Sequence, residues 1–97
     1  MKGVMKMTAQ IWNDNGWIKE TDPISLREKY DAILDKCGFH VLDFTEHFFN
    51  PQGYTALWLL GESHFAIHTF PEFGKTYYEL SSCNKEYFKK FLDYNDR

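Results

Sequence analysis

The chain has 97 residues, 43% hydrophobic, 26% charged and 19% aromatic, which suits one domain and argues against disorder. Eleven basic residues against fourteen acidic ones give a net charge of -3, the wrong balance for a nucleic-acid binder with its basic face. Tyr54 to Gly61 is too short an apolar run to cross a bilayer, Met1 to Lys6 lacks the apolar stretch of a secretory signal, and Cys37 and Cys83 make no disulfide framework, so the expected setting is the cytoplasm with both thiols reduced.

Met7 to Trp12 reads as a strand, closed by Asn13-Asp14-Asn15-Gly16, a strong turn signal. Asp22 then caps a helix that Pro23 opens and Gly38 stops, with Leu26, Tyr30, Ile33, Leu34 and Cys37 at helical spacing on its apolar side. Asp31 and Asp35 read as the solvated face of that helix. Phe39 to Phe49 is rich in aromatic and β-branched residues and reads as a strand. Asn50-Pro51-Gln52-Gly53 turns the chain into a strongly apolar, central strand from Tyr54 to Leu60. After Gly61-Glu62-Ser63, the stretch from His64 to Phe70 alternates, with Phe65, Ile67 and Thr69 on one face and His64, Ala66 and His68 on the other. Pro71-Glu72-Phe73-Gly74 leads to a strand over Lys75 to Ser82, and Asn84 caps a last helix with Tyr87, Phe88, Phe91 and Leu92 apolar. Short turns favour antiparallel pairing, so residues 1–97 are read as a single α+β domain. Its expected form is a two-layer sandwich, an antiparallel sheet of about four strands with two helices on one face.

The segment from Gly61 to Glu72 is dense in reactive groups. A serine at a tight turn lies beside a carboxylate and near two imidazoles, and pairing across Pro71 to Gly74 brings Cys83 back towards Ser63. Residue types and spacing leave three readings open: nucleophilic catalysis by a serine–histidine pair, a metal held by His64 and His68 with Glu62 or Cys83, or an ordinary polar sheet face. No metal-binding signature is present, and two histidines four apart on a strand stand far from one another along one face.

Leu60-Gly61-Glu62-Ser63-His64 followed by Ile67-His68-Thr69-Phe70-Pro71-Glu72, with Cys83 one strand later, resembles the core motif of the prokaryotic S-adenosylmethionine decarboxylase proenzyme family. Phe49-Asn50-Pro51-Gln52-Gly53-Tyr54-Thr55 is similar to that family's approach to the cleavage strand. The resemblance implies a self-processing enzyme that breaks its own Glu62–Ser63 bond and converts Ser63 into a pyruvoyl group, which would form a Schiff base with the substrate and accept the electrons released as CO2 leaves. It implies His68 as the processing acid/base, Thr55 in place of an assisting serine, and Cys83 as the donor of the returning proton. It implies Phe49 and Phe70 as aromatic partners of the substrate, Phe70 standing in for tryptophan, with Glu72 and His64 as further substrate contacts. The implied product feeds spermidine and other polyamine synthesis, and the implied assembly is a homodimer with no nucleic-acid or membrane partner. Asn84 stands where the family often has glycine, and the chain reads as C-terminally short against family members that continue past Arg97. The same chemistry on arginine or ornithine, and a non-processing homologue that binds or regulates as a dimer partner, are the alternatives.

Overall fold

The structure, a computed structural model, describes residues 10–95. The chain runs β1 (Trp12–Ile18), α1 (Pro23–Cys37), β2 (Val41–Phe48), β3 (Tyr54–Leu60), β4 (Ser63–Phe70), a 3-10 turn (Pro71–Phe73), β5 (Lys75–Ser82) and α2 (Lys85–Tyr94). The strands form one antiparallel sheet in the order β1-β5-β4-β3-β2. The sheet therefore has five strands rather than about four, with β4 in the middle and β3 interior between β4 and β2.

The first strand lies further along the chain than the sequence suggests, where a turn is expected. Met7 to Ala9 lie outside the described residues, and Asn13-Asp14-Asn15-Gly16 runs through the interior of β1, paired residue for residue with β5 from Trp12↔Ser82 to Ile18↔Thr76. Cross-strand bonds overcome the turn preference. Asn13 Nδ2 donates to Glu79 Oε2 at 2.9 Å and to Ser81 Oγ at 2.8 Å on the open face, while Tyr78 OH donates to Asp14 Oδ2 at 3.0 Å on the other. β2 is shorter than its composition suggests, because Phe39 turns into the core and Phe49 lies past the strand's last residue.

Both helices cover one face of the sheet. Trp58, Phe65, Tyr78 and Leu80 rise from it to meet Tyr30, Leu34 and Phe91, all of them fully buried. The Tyr30 and Phe65 rings lie 4.5 Å apart and Phe65 and Phe91 5.5 Å, so the aromatic-rich composition becomes a stacked interior. All five residues of the α1 apolar stripe are buried. Ser25 N donates to Asp22 Oδ2 at 2.9 Å, and Gly38 ends the helix in the left-handed region at φ 104°. A Cβ at Gly38 would stand 2.8 Å from Tyr87 Cε1, so only glycine lets the two helices meet here. Asp31, read as solvated, does more: its Oδ1 accepts from Trp58 Nε1 at 2.8 Å and pins α1 to β3. On α2, Phe88 and Phe91 are buried, but Leu92 faces solvent.

Among the described residues, the other face of the sheet carries no helix. There Leu57, Leu59 and Trp17 are exposed at 39%, 49% and 48%.

Candidate active site

Glu62 and Ser63 sit at the hairpin between β3 and β4. Leu60 pairs with Ser63, leaving a two-residue turn of Gly61 and Glu62. Glu62 has φ 58°, the only non-glycine residue described with a positive φ. Gly61, which would take that conformation freely, does not. The left-handed strain thus falls on the residue whose carbonyl precedes Ser63, at roughly 1–2 kcal/mol for an L-residue. Ser63 itself is 6% exposed and points into the helix layer, where its Oγ donates to Ser82 Oγ at 2.9 Å. Cys83 follows Ser82 as an exposed free thiol at the same end of the sheet.

Thr55 and His68 lie towards the opposite end, paired across β3 and β4 on the open face. Thr55 Oγ1 and His68 Nδ1 are 3.0 Å apart and share a hydrogen bond. That bond fixes the imidazole ring and leaves Nε2 without a bonded partner among the described residues. A cleft of about 360 Å³ opens beside them, lined by Phe49, Gln52, Thr55, His68, Phe70 and Glu72 among others. Five residues singled out in the sequence, Phe49, Thr55, His68, Phe70 and Glu72, therefore share one cleft. His64 does not join them: it is exposed on the same face nearer the hairpin. Larger hollows of about 480 and 760 Å³ lie beside α1 and hold none of the candidate site residues. They surround a structural network in which Glu46 accepts from Tyr54 OH at 2.5 Å and from Arg27 Nη1 at 3.3 Å.

The pattern of the sequence thus separates into two ends in one chain. Ser63, Cys83 and Glu62 occupy one; the Thr55–His68 pair with its aromatic cleft occupies the other. Among the described residues no group of three or more His, Cys, Asp or Glu side chains is arranged to hold a metal. Two features escaped sequence reasoning. Trp17, placed beyond a turn that does not exist, packs its ring against Phe70 of the cleft at 5.7 Å and against Tyr77 at 5.3 Å. Ser82 is the direct partner of Ser63, and its signal was present: the hairpin centred on Pro71 to Gly74 pairs Ser63 with Ser82 as it pairs Thr69 with Thr76.

The sheet with two helices on one face is the fold of a decarboxylase of known structure, the adenosylmethionine decarboxylase of Aquifex aeolicus VF5. The two superpose with a TM-score of 0.75 over 91% of this chain and 78% of that one, at 20% identity. The sequence profile of the S-adenosylmethionine decarboxylase family matches residues 18–95, and the chain belongs to that family. Its members carry a pyruvoyl group derived from a serine. An S-adenosylmethionine decarboxylase proenzyme of Prochlorococcus marinus (strain MIT 9313) is 37% identical over 68 residues, 70% of this chain and 54% of that protein. One from Methanococcus maripaludis (strain C7 / ATCC BAA-1331) is 30% identical over 76 residues, 78% of this chain and 62% of that protein. The chain spans about half the length of the first of these relatives. No helix among the described residues is long and apolar enough to cross a membrane.

Proposed function

We propose that the chain cleaves itself between Glu62 and Ser63 and then decarboxylates S-adenosylmethionine, supplying aminopropyl groups for polyamine synthesis. The observation that carries the reading is the backbone at the cleavage position: Glu62 is held at φ 58° directly before a buried, hydrogen-bonded serine, in a chain that belongs to this family. Cleavage of the Glu62–Ser63 bond frees Glu62 from that conformation, so the strain favours the reaction.

In the first step Ser63 Oγ adds to the Glu62 carbonyl carbon, the C–N bond breaks, and the hydroxyl proton passes to the Ser63 nitrogen, leaving an ester. Removal of the Ser63 α-proton expels the Glu62 carboxylate, and water replaces the nitrogen, releasing ammonia. Ser63 suits this role because it lies first on β4 behind a tight turn, with Cys83 at the same end of the sheet. The pyruvoyl group so formed supplies an electron sink for the loss of CO2. Around it the chain's own groups act as binders and proton carriers. Cys83 holds the proton that returns to the product carbon. Phe49 and Phe70 offer flat faces to the adenine, and Glu72 offers a carboxylate to a cationic group. His68, oriented by Thr55, exchanges protons during processing.

Ser63 and His68 do not meet within one chain. The reading therefore takes a homodimer in which the open sheet face of each copy meets its partner, and the His68 cleft of one serves the Glu62–Ser63 turn of the other. Exposed Trp17, Leu57 and Leu59 on that face support it. A cytoplasmic setting accords with two free thiols, one of them exposed.

Intact-mass spectrometry of freshly purified and incubated protein tests the reading. The expected result is two fragments divided between Glu62 and Ser63, the second beginning with a pyruvoyl group. A chain that stays whole, with no CO2 released from S-adenosylmethionine, overturns it.

A further inference from the structure

Ser82 is the residue that bonds the Ser63 hydroxyl. The two are directly paired across β4 and β5, both point into the helix layer, and Ser82 is 1% exposed. Ser63 Oγ donates to Ser82 Oγ at 2.9 Å. Ser82 Oγ in turn donates to the Asn84 carbonyl at 3.3 Å and accepts from the Asn84 N–H at 3.0 Å.

A hydroxyl has one proton to give and two lone pairs to receive. At Ser82 all three are committed: the proton to Asn84 O, the lone pairs to Asn84 N–H and Ser63 O–H. Ser82 therefore acts towards Ser63 only as an acceptor. The Ser63 proton is drawn to Ser82, and the Ser63 lone pairs receive no hydrogen bond from any described residue. That is the condition an attacking oxygen needs: its proton directed away, its electron pair free, its side chain held in one orientation.

We infer that Ser82 is a positioning residue for self-cleavage, fixing the Ser63 hydroxyl for its attack on the Glu62 carbonyl. The inference rests on the self-cleavage reading above and extends it. Ser82 contributes orientation and polarisation; the Ser63 proton still ends on the Ser63 nitrogen as the C–N bond breaks. The bond to Asn84 makes the orientation depend on the start of α2, since Asn84 also accepts from Tyr87 N at 3.0 Å as that helix's cap.

The experiment compares the wild-type chain with Ser82→Thr, Ser82→Val and Ser82→Ala. Threonine and valine have nearly the same shape and differ at the hydroxyl, so their contrast isolates it. Self-cleavage is followed by intact mass, the ester by the extra cleavage a brief hydroxylamine pulse causes, and folding by thermal melting. The expected result is a Ser82→Thr rate within about threefold of wild type and Ser82→Val and Ser82→Ala rates about tenfold lower, the worth of one lost hydrogen bond in the transition state. The hydroxylamine-cleavable fraction falls in step. A residue that merely supports the fold would change the rate in proportion to melting temperature, and the pulse would not single out the hydroxyl. If Ser82→Val fails to fold, Ser82→Ala against wild type carries the comparison. Equal rates with and without the hydroxyl in a cleaving background overturn the role of Ser82 alone. A wild-type chain that never cleaves overturns the self-cleavage reading, and the role with it.

Discussion

Ser63 and His68 stand on the same strand five residues apart, and so face opposite sides of the sheet: Ser63 is buried under the helices, His68 half-buried on the open face. At the usual rise of a strand they are about 17 Å apart along it. On the proposed reading their joint action takes two copies of the chain, which makes complementation the direct test. His68→Ala alone should cleave at least about tenfold more slowly, the ordinary worth of a positioned acid/base. Ser63→Ala alone should not cleave at all. Refolded together, the two should regain cleavage of the His68→Ala chain, because the Ser63→Ala partner brings an intact His68. A mixture no faster than His68→Ala alone would show that each chain works by itself.

Glu62→Gly should separate strain from chemistry. Glycine adopts φ near 58° without penalty, so the uncleaved protein should gain roughly 1 kcal/mol of stability. If that strain is released on the way to the transition state, cleavage slows by about fivefold. Denaturant unfolding and intact mass on the same preparation read both quantities. A variant that is more stable yet cleaves at the wild-type rate would remove strain from the account.

The Thr55–His68 hydrogen bond predicts a graded series. Thr55→Ser keeps the 3.0 Å partner for Nδ1 and should stay within about threefold of wild type in processing. Thr55→Ala leaves the ring unanchored and should lose about tenfold. Equal rates for the two would mean that the bond does not orient the imidazole for this reaction.

The two thiols should behave differently. Burial pushes the Cys37 thiol up to about 11, with Lys90 drawing it part of the way back, whereas Cys83 is exposed. Iodoacetamide at pH 8 should therefore modify Cys83 in the native protein and reach Cys37 only after unfolding. The same shift sets a pH dependence of stability. Below the ordinary thiol value of 9.0 both states hold the proton; between 9.0 and about 11 the unfolded chain releases it while the folded one keeps it, so stability falls as pH rises through that window. Cys37→Ala should be less stable throughout but should lack that part of the decline.

Much of the fold was legible in the chain itself. The α1 stripe, its Asp22 cap and Gly38 stop, the bounds of β3 and β5, and the Asn84 cap depend on side chains within a turn or two of one another, and local pattern reports local interactions. β1 was misread because Asn13-Asp14-Asn15-Gly16 has turn chemistry in isolation. Only β5, more than sixty residues away, supplies the Glu79, Ser81 and Tyr78 partners that make it a strand. Leu92 shares the apolar spacing of α2 yet faces solvent, because helical spacing does not say how far round the helix the core extends.

The reactive residues divide in the same way. The sequence alone determined which groups are present and their order along β3, β4 and β5, because motif and alternation are written along one strand. The tertiary structure decided which of them meet. Strand alternation put Ser63 and His68 on opposite faces, hairpin register put Ser82 rather than Cys83 against Ser63, and the backbone put the left-handed residue at Glu62 rather than Gly61. These outcomes depend on register and dihedral angle, which pairing with distant strands fixes and no local stretch of residues encodes.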